Sequence, residues 1–289
     1  MNVQKRVAAI HDISCFGRCS LTVALPVISA AGIEVSVVPT AVLSTHTGGF
    51  DGYTFRDLTD DIAPVASHWQ SLQLSFDAVY TGFLGSFRQI DIVSDFFGRF
   101  GTADNLILVD PVMADNGKLY AIFPEDFPQG MRRLCAKADI IVPNLTEAAL
   151  LLGEPYREGP YEKEYIENLL SALSDLGPAQ VVLTGVAFDD TRLGAAAYDR
   201  RTNRVSYAFA DRIPGYYHGT GDVFASVLLA ALLSGEDISE AVKTAVDFTV
   251  GSIKRTKEAK TDIRFGVNFE QGLLDLAQQL NKKTGERNE

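Results

Sequence analysis

Short β-branched runs alternate along the chain with longer stretches of helical period. The runs at residues 7–10, 34–38, 78–81, 106–109, 140–142 and 180–184 are predicted strands. Amphipathic helices are predicted between them at 20–31, 65–74, 90–100, 127–137, 146–152 and 165–176. Such alternation specifies βα units and a parallel sheet, since a strand reaches a parallel neighbour only through a crossover. Gly32 and Gly177-Pro178 stand where helix ends favour a left-handed residue and a stop. Beyond residue 192 the pattern changes. Segments 193–198 and 205–209, split by the polar turn 199–204, read as an antiparallel hairpin ending the sheet. Helices follow at 222–233, 239–255 and 269–280. Trp69 shares a helical stripe with Val65 and Leu72 and is expected in the core. Without a linker, composition break or repeat, a single α/β domain is expected over 1–281, with a polar, frayed tail at 282–289. The stretch 153–163, rich in Gly, Pro, Tyr and charge, is expected to be a mobile surface loop.

Composition narrows the class. The chain has 289 residues, 46% hydrophobic and 22% charged, enough for a sizeable core without staples. Its 26 basic and 37 acidic residues give a net charge of −11, which argues against a nucleic-acid partner, because such binding needs a basic face. An anionic small molecule stays admissible, since backbone N–H groups or Mg²⁺ can meet its charge locally. The cysteines Cys15, Cys19 and Cys135 are too few for a disulfide framework, and Cys15 and Cys19 lack CxxC spacing, so they read as inert reduced thiols. No stretch approaches the ~18 apolar residues of a membrane span, and the run at 7–10 is too short for a secretory leader. A cytoplasmic protein that touches neither membrane nor nucleic acid is expected.

In open parallel sheets, ligands bind beyond the carboxyl ends of the strands. Here those ends lead into His11-Asp12-Ile13-Ser14, Ser44-Thr45-His46-Thr47-Gly48-Gly49, Gly82-Phe83, Asp110-Pro111-Val112-Met113-Ala114-Asp115, Pro143-Asn144-Leu145-Thr146-Glu147 and Thr184-Gly185. Small, polar and acidic residues thus gather on one edge. The sharpest element is Gly219-Thr220-Gly221-Asp222, directly before an apolar helix. A helix start collects unsatisfied N–H donors and positive potential, and glycines let a phosphate approach closely. Asp222 either takes a proton from an attacking hydroxyl there or is an ordinary first-turn acid. Asp110, Asp115 and Glu147 would make a water-rich Mg²⁺ site shared with substrate phosphates. Asp110-Pro111 fits a turn equally, and Asn144 with Glu147 fits a helix cap with a reciprocal acid. His46 either hydrogen-bonds within its glycine-rich turn or presents a ring to a small polar ligand. No GxxxxGK[ST] exists, and Gly17 alone follows the first strand, so the Walker and dinucleotide readings fail.

Taken together and in this order, the blocks resemble the ribokinase superfamily. Gly219-Thr220-Gly221-Asp222 is similar to its anion hole and catalytic base. Asp110-Pro111-Val112 with Asp115, and Pro143-Asn144 with Glu147, are similar to two blocks of its vitamin-kinase branch. Thr45-His46-Thr47-Gly48 with Thr81-Gly82-Phe83 resembles the pyridoxal kinases, and the whole resemblance runs from about Val7 to Leu233. It implies a three-layer α/β/α ribokinase-like fold, with a mostly parallel sheet, a terminal antiparallel hairpin, a small lid and a homodimer. The implied activity is ATP-dependent phosphorylation of the 5′-hydroxymethyl group of pyridoxal, pyridoxine or pyridoxamine.

Residue by residue, the resemblance makes Asp222 the general base and gives the transferring phosphoryl to the N–H groups of Gly219, Thr220 and Gly221. Asp110, Asp115, Asn144 and Glu147, with Thr184 beside them, would organise the ATP phosphates, Mg²⁺ and a monovalent cation (K⁺ or Na⁺). The metal falls to Asp110, Asp115 and Glu147. Asp12, His46, Thr47 and Phe83 would line the pyridine pocket with Asp222. Two positions depart from common patterns. Many pyridoxal kinases carry serine where this chain has Asp12, which could pair with a protonated ring nitrogen or a substrate amine. Hydroxymethylpyrimidine kinases often carry cysteine after Gly-Thr-Gly, where this chain has Asp222. The competing readings are a hydroxymethylpyrimidine kinase of thiamine synthesis, a non-catalytic pyridoxal-phosphate carrier and a sugar kinase.

Overall fold

A computed structural model describes residues 4–286, with side chains described as far as Asn281. Its elements are β1 (Arg6–Ser14), α1 (Leu21–Ala30), β2 (Glu34–Leu43), β3 (Phe55–Asp57), α2 (Thr59–Ser71), β4 (Ala78–Thr81), α3 (Phe87–Phe100), β5 (Leu106–Val109), β6 (Ala114–Asp115), β7 (Lys118–Leu119) and α4 (Phe127–Cys135). They continue with β8 (Ile140–Ile141), α5 (Leu145–Leu152), α6 (Lys163–Asp175), β9 (Gln180–Val186), β10 (Arg192–Asp199), β11 (Arg204–Asp211), α7 (Thr220–Leu233), α8 (Ile238–Glu258) and α9 (Leu273–Glu286). The chain divides into two compact units, one of residues up to Leu58 together with those from Ile213, the other Thr59–Arg212.

In the unit Thr59–Arg212, β4, β5, β8 and β9 are parallel neighbours in that order. β10 and β11 add the predicted antiparallel hairpin beyond β9. β4 is buried at every position and β5 at three of four, the apolar run of a parallel strand covered on both faces. Two helix starts are fixed locally: Ser86 caps α3 through the N–H of Gln89, and Asn144 with Glu147 caps α5 reciprocally. α2 begins at Thr59, six residues before the predicted start, with Asp60 and Asp61 in its first turn. It ends at Ser71, three residues before the predicted end, so Leu72 lies past it. Ile62 and Ala66 are buried, whereas Trp69, expected in the core, is half-buried against Phe76 and Phe96, and Leu72 of its expected stripe is 55% exposed. The short hairpin β6–β7 has two residues per strand, too few to leave a periodic signal. In the loop 153–163, the Tyr161 N–H donates to Ala187 O at 2.8 Å, and the Tyr161 hydroxyl to Arg157 O at 3.1 Å.

In the other unit, β1 runs parallel to β2 and β3 pairs antiparallel to β2. β1 extends four residues beyond its predicted end at residue 10, so Asp12 and Ser14 lie within a strand rather than in a loop. Its register on β2 shifts between His11 and Ile13, which places Asp12 at the irregularity. Beyond its first turn α7 is buried on nearly all sides, as its mostly apolar sequence requires, and it packs against α1 and α8. The helix predicted from 269 starts at Leu273, after a 3₁₀ turn at Glu270–Gly272, and runs through part of the expected tail to Glu286. The remainder of that tail, 287–289, lies outside the described residues. Among the described residues no helix is long and apolar enough to cross a membrane.

Candidate active site

The start of α7 is built on a glycine whose replacement would strain the backbone. Gly219 adopts φ 75°, and a Cβ on it would lie 2.0 Å from Arg18 O. No side chain caps this helix end; the Thr220 hydroxyl donates instead to Tyr217 O at 3.1 Å. Asp222, in the first turn, is half-buried. Burial pushes its carboxyl up to about 6 and the charge of Asp12 adds to the effect, against the N–H of Ser20 and the thiol of Cys19. A carboxylate poised there suits a general base near neutral pH.

Three residues around Asp222 and Asp12 were given no role in the chemistry by the sequence, which read Cys19 as an inert thiol. Ser20 is held at φ 52°, ψ −128°, a sparsely populated region that stores strain. Its N–H serves Asp222 and its hydroxyl serves Asp12. Ser14 Oγ donates to Asp12 Oδ2 at 3.1 Å. Cys19 Sγ lies 3.3 Å from Asp222 Oδ2. Asp12 itself is 4% exposed, and its carboxyl is raised by burial against these hydroxyl donors.

His46 is buried with both ring nitrogens engaged by backbone. Nδ1 accepts the Gly48 N–H at 3.1 Å, and Nε2 lies 2.6 Å from Arg264 O. Within its turn, the hydrogen-bonding alternative describes those nitrogens, and only the ring faces remain for contact. The ring meets Phe50 edge-on at 5.0 Å and His218 at 5.1 Å. Phe16 and Phe265 join Phe50 in an aromatic group that periodicity did not reveal. Thr47 is exposed.

The acids Asp110, Asp115 and Glu147 belong to the unit Thr59–Arg212. Glu147 is 3% exposed; Oε1 accepts the Met113 N–H at 3.1 Å and Oε2 the Asn144 N–H at 2.9 Å. Asn144 Oδ1 returns the bond from the Glu147 N–H at 2.9 Å, while its Nδ2 donates to Ala114 O at 2.8 Å. Thr146 Oγ1 accepts the Gly117 N–H at 2.9 Å. The β6–β7 hairpin that carries Asp115 is thereby laced to the start of α5. Asn144 and Thr184 face each other across a parallel bridge. Asp110, buried, ends β5 with its N–H on Thr81 O at 2.9 Å. Phe83, expected with Asp12 and His46, belongs to this unit and its ring packs on Phe123 at 5.7 Å.

Burial raises Glu147 to about 8, opposed by three backbone N–H groups and reinforced by the charge of Asp115. Among the described residues no three His, Cys, Asp or Glu side chains form a ready cage for an ion. A carboxylate that is costly to ionise beside another fits a cation that keeps its waters and takes further ligands from substrate phosphates, as Mg²⁺ does.

The phosphomethylpyrimidine kinase family matches residues 25–266. A Bacteroides thetaiotaomicron protein, provisionally assigned as a phosphomethylpyrimidine kinase and crystallised with pyridoxal, is 42% identical, with a TM-score of 0.91 over 95% of this chain and 96% of that one. The pyridoxal kinase of Lactobacillus plantarum is 34% identical, with a TM-score of 0.88 over 97% of this chain and 99% of its own. The pyridoxal kinase of Granulibacter bethesdensis is 27% identical over 261 residues, 88% of this chain and 90% of its own. The shared architecture is the ribokinase-like α/β fold, its sheet mostly parallel with an antiparallel hairpin. On a match that begins in α1 and ends beyond α8, the chain belongs to the phosphomethylpyrimidine kinase family.

Proposed function

We propose that this protein is a pyridoxal kinase, transferring the γ-phosphoryl of ATP to the 5′-hydroxymethyl group of a B6 vitamer. The observation that carries the reading is Asp222, raised to about 6 at a helix start that no side chain caps. The relatives that match along most of their length support the substrate: two are pyridoxal kinases and one holds pyridoxal.

Asp222 accepts the hydroxymethyl proton as the oxygen attacks the γ-phosphorus; the new O–P bond forms while the bond to ADP breaks. The N–H groups of Gly219, Thr220 and Gly221 take the charge on the transferring oxygens. Asp12, His46 and Thr47 line the vitamer pocket. Asp110, Asp115 and Glu147 would hold Mg²⁺, which would supply neutralisation of the phosphate charge, and Asn144 and Thr184 would orient the nucleotide beside a monovalent cation. The chain works as one kinase domain over 1–281, in a homodimer. The three free cysteines suit a reducing, cytoplasmic setting.

The matching family's own name favours a second reading, a hydroxymethylpyrimidine kinase. Both are separated by assaying pyridoxal, pyridoxine, pyridoxamine and hydroxymethylpyrimidine with ATP and Mg²⁺. Turnover of the vitamers, lowered about 10²–10⁴-fold in Asp222→Asn while vitamer binding persists, supports the kinase. Turnover of the pyrimidine alone would replace it with the second reading. Vitamer binding without ATP consumption would make the protein a carrier.

A further inference from the structure

The loop between β1 and α1 brings a thiol to the proposed base. Cys19 is half-buried, and its Sγ lies 3.3 Å from Asp222 Oδ2, so the S–H donates to the carboxylate. The loop holds it there. Thr22 Oγ1 accepts the Cys19 N–H at 3.3 Å and donates back to the carbonyls of Cys19 at 2.8 Å and Gly17 at 3.2 Å. The next residue, Ser20, pays for a strained backbone at φ 52° while its N–H serves the same carboxylate.

We propose that Cys19 is a positioning residue for the phosphoryl-transfer reaction: its S–H, with the Ser20 N–H, orients the Asp222 carboxylate and stabilises the ionised form that receives the substrate proton. The inference rests on the reading of Asp222 as the base. The sulfur forms no bond to substrate. Burial and the neighbouring carboxylates Asp222 and Asp12 push the thiol well above its usual range, so it remains a protonated donor. The groups facing Asp222 are Asp12 on β1, itself faced by His46, and Cys19 in the loop. Of the helices against α7, α1 has no ionisable side chain. α8 carries Lys254, Arg255, Lys257 and Glu258 in its last turns, with Arg255 committed to Asn268 O and Ser252 Oγ.

The test is the pH profile of kcat/KM in wild type, Cys19→Ala, Cys19→Ser and Asp222→Asn. Loss of the donor in Cys19→Ala moves the acidic limb upward by about half a unit, and the hydroxyl of Cys19→Ser moves it back. An unchanged limb in Cys19→Ala, with Asp222→Asn inactive, overturns the inference and leaves the base intact. Wild-type turnover by Asp222→Asn overturns both. If Cys19→Ala does not fold, the sulfhydryl stretching band of the wild-type protein decides. A band that shifts as Asp222 titrates near pH 6 supports the contact, and one unmoved through that range overturns it.

Discussion

His46 Nε2 lies 2.6 Å from the carbonyl oxygen of Arg264, and because a carbonyl can only accept, that nitrogen carries the proton. Nδ1 is then the acceptor that the Gly48 N–H needs. The ring is a neutral tie between two loops. His46→Ala leaves both backbone groups without this partner at a site 5% exposed, an expected loss of about 1–3 kcal/mol in denaturant unfolding. KM for the vitamer rises more than kcat falls, since the residue positions a pocket and moves no proton.

The folded carboxyl of Asp222, at about 6, titrates above its ordinary 3.8. As a base it must be ionised, so kcat/KM falls about tenfold per unit as pH drops below 6. Stability runs the other way. The folded state binds this proton more tightly than the unfolded chain does, so the contribution is full below 3.8 and is lost as pH rises through about 6. Asp222→Asn, free of the buried charge, is expected to be more stable than wild type at pH 7 by about 1–3 kcal/mol in thermal unfolding, though nearly inactive.

Gly219→Ala places a methyl group 2.0 Å from Arg18 O at φ 75°. Either the loop carrying Cys19 and Ser20 or the start of α7 must move. The expected result is a melting temperature lowered by several degrees, for a cost of about 1–3 kcal/mol, with kcat reduced at least about tenfold. Wild-type kcat in a stable Gly219→Ala protein would detach this turn from the chemistry.

Asn144→Ala removes the cap of α5 and the bond to Ala114 O together. A cap alone is worth about 0.5–2 kcal/mol, so equilibrium unfolding should show at least that loss. KM for ATP, measured across Mg²⁺ concentrations, should rise, because the Asp115 hairpin is tied to α5 through this residue. KM for pyridoxal should stay within about twofold if the residue serves the nucleotide side alone.

Asp12 presents a buried acid where a serine would present a hydroxyl. Asp12→Ser should lower kcat/KM for pyridoxamine relative to pyridoxal, because an acid favours a cationic partner. Measuring all three vitamers with both proteins checks it, and an unchanged ranking would remove Asp12 from vitamer selection.

Much of the fold was legible before any coordinate. The strands at 78–81 and 106–109 occur at their expected bounds, and the hairpin of β10 and β11 turns where a polar segment interrupts two apolar runs. Period and turn chemistry are local, so a single sequence carries them. Boundaries failed where tertiary contacts overrode local pattern. β1 runs on to Ser14 because β2 pairs with it past the apolar run, and Leu72 is exposed past the end of α2, which stops at Ser71 rather than at the predicted 74.

The candidate site divides along the same line. Residue types and their order along the strand ends were fixed by the amino-acid sequence, which sufficed to single out Asp222, the acids and His46. Which of their polar atoms are already committed was decided only by the tertiary structure. Glu147 spends both oxygens on backbone N–H groups, and His46 spends both nitrogens. Cys19, 203 residues from Asp222, became its hydrogen-bond donor. A side chain's identity fixes how many bonds it can make, but its partners depend on approaches of a few ångströms between distant segments, and spacing along the chain contains no record of them.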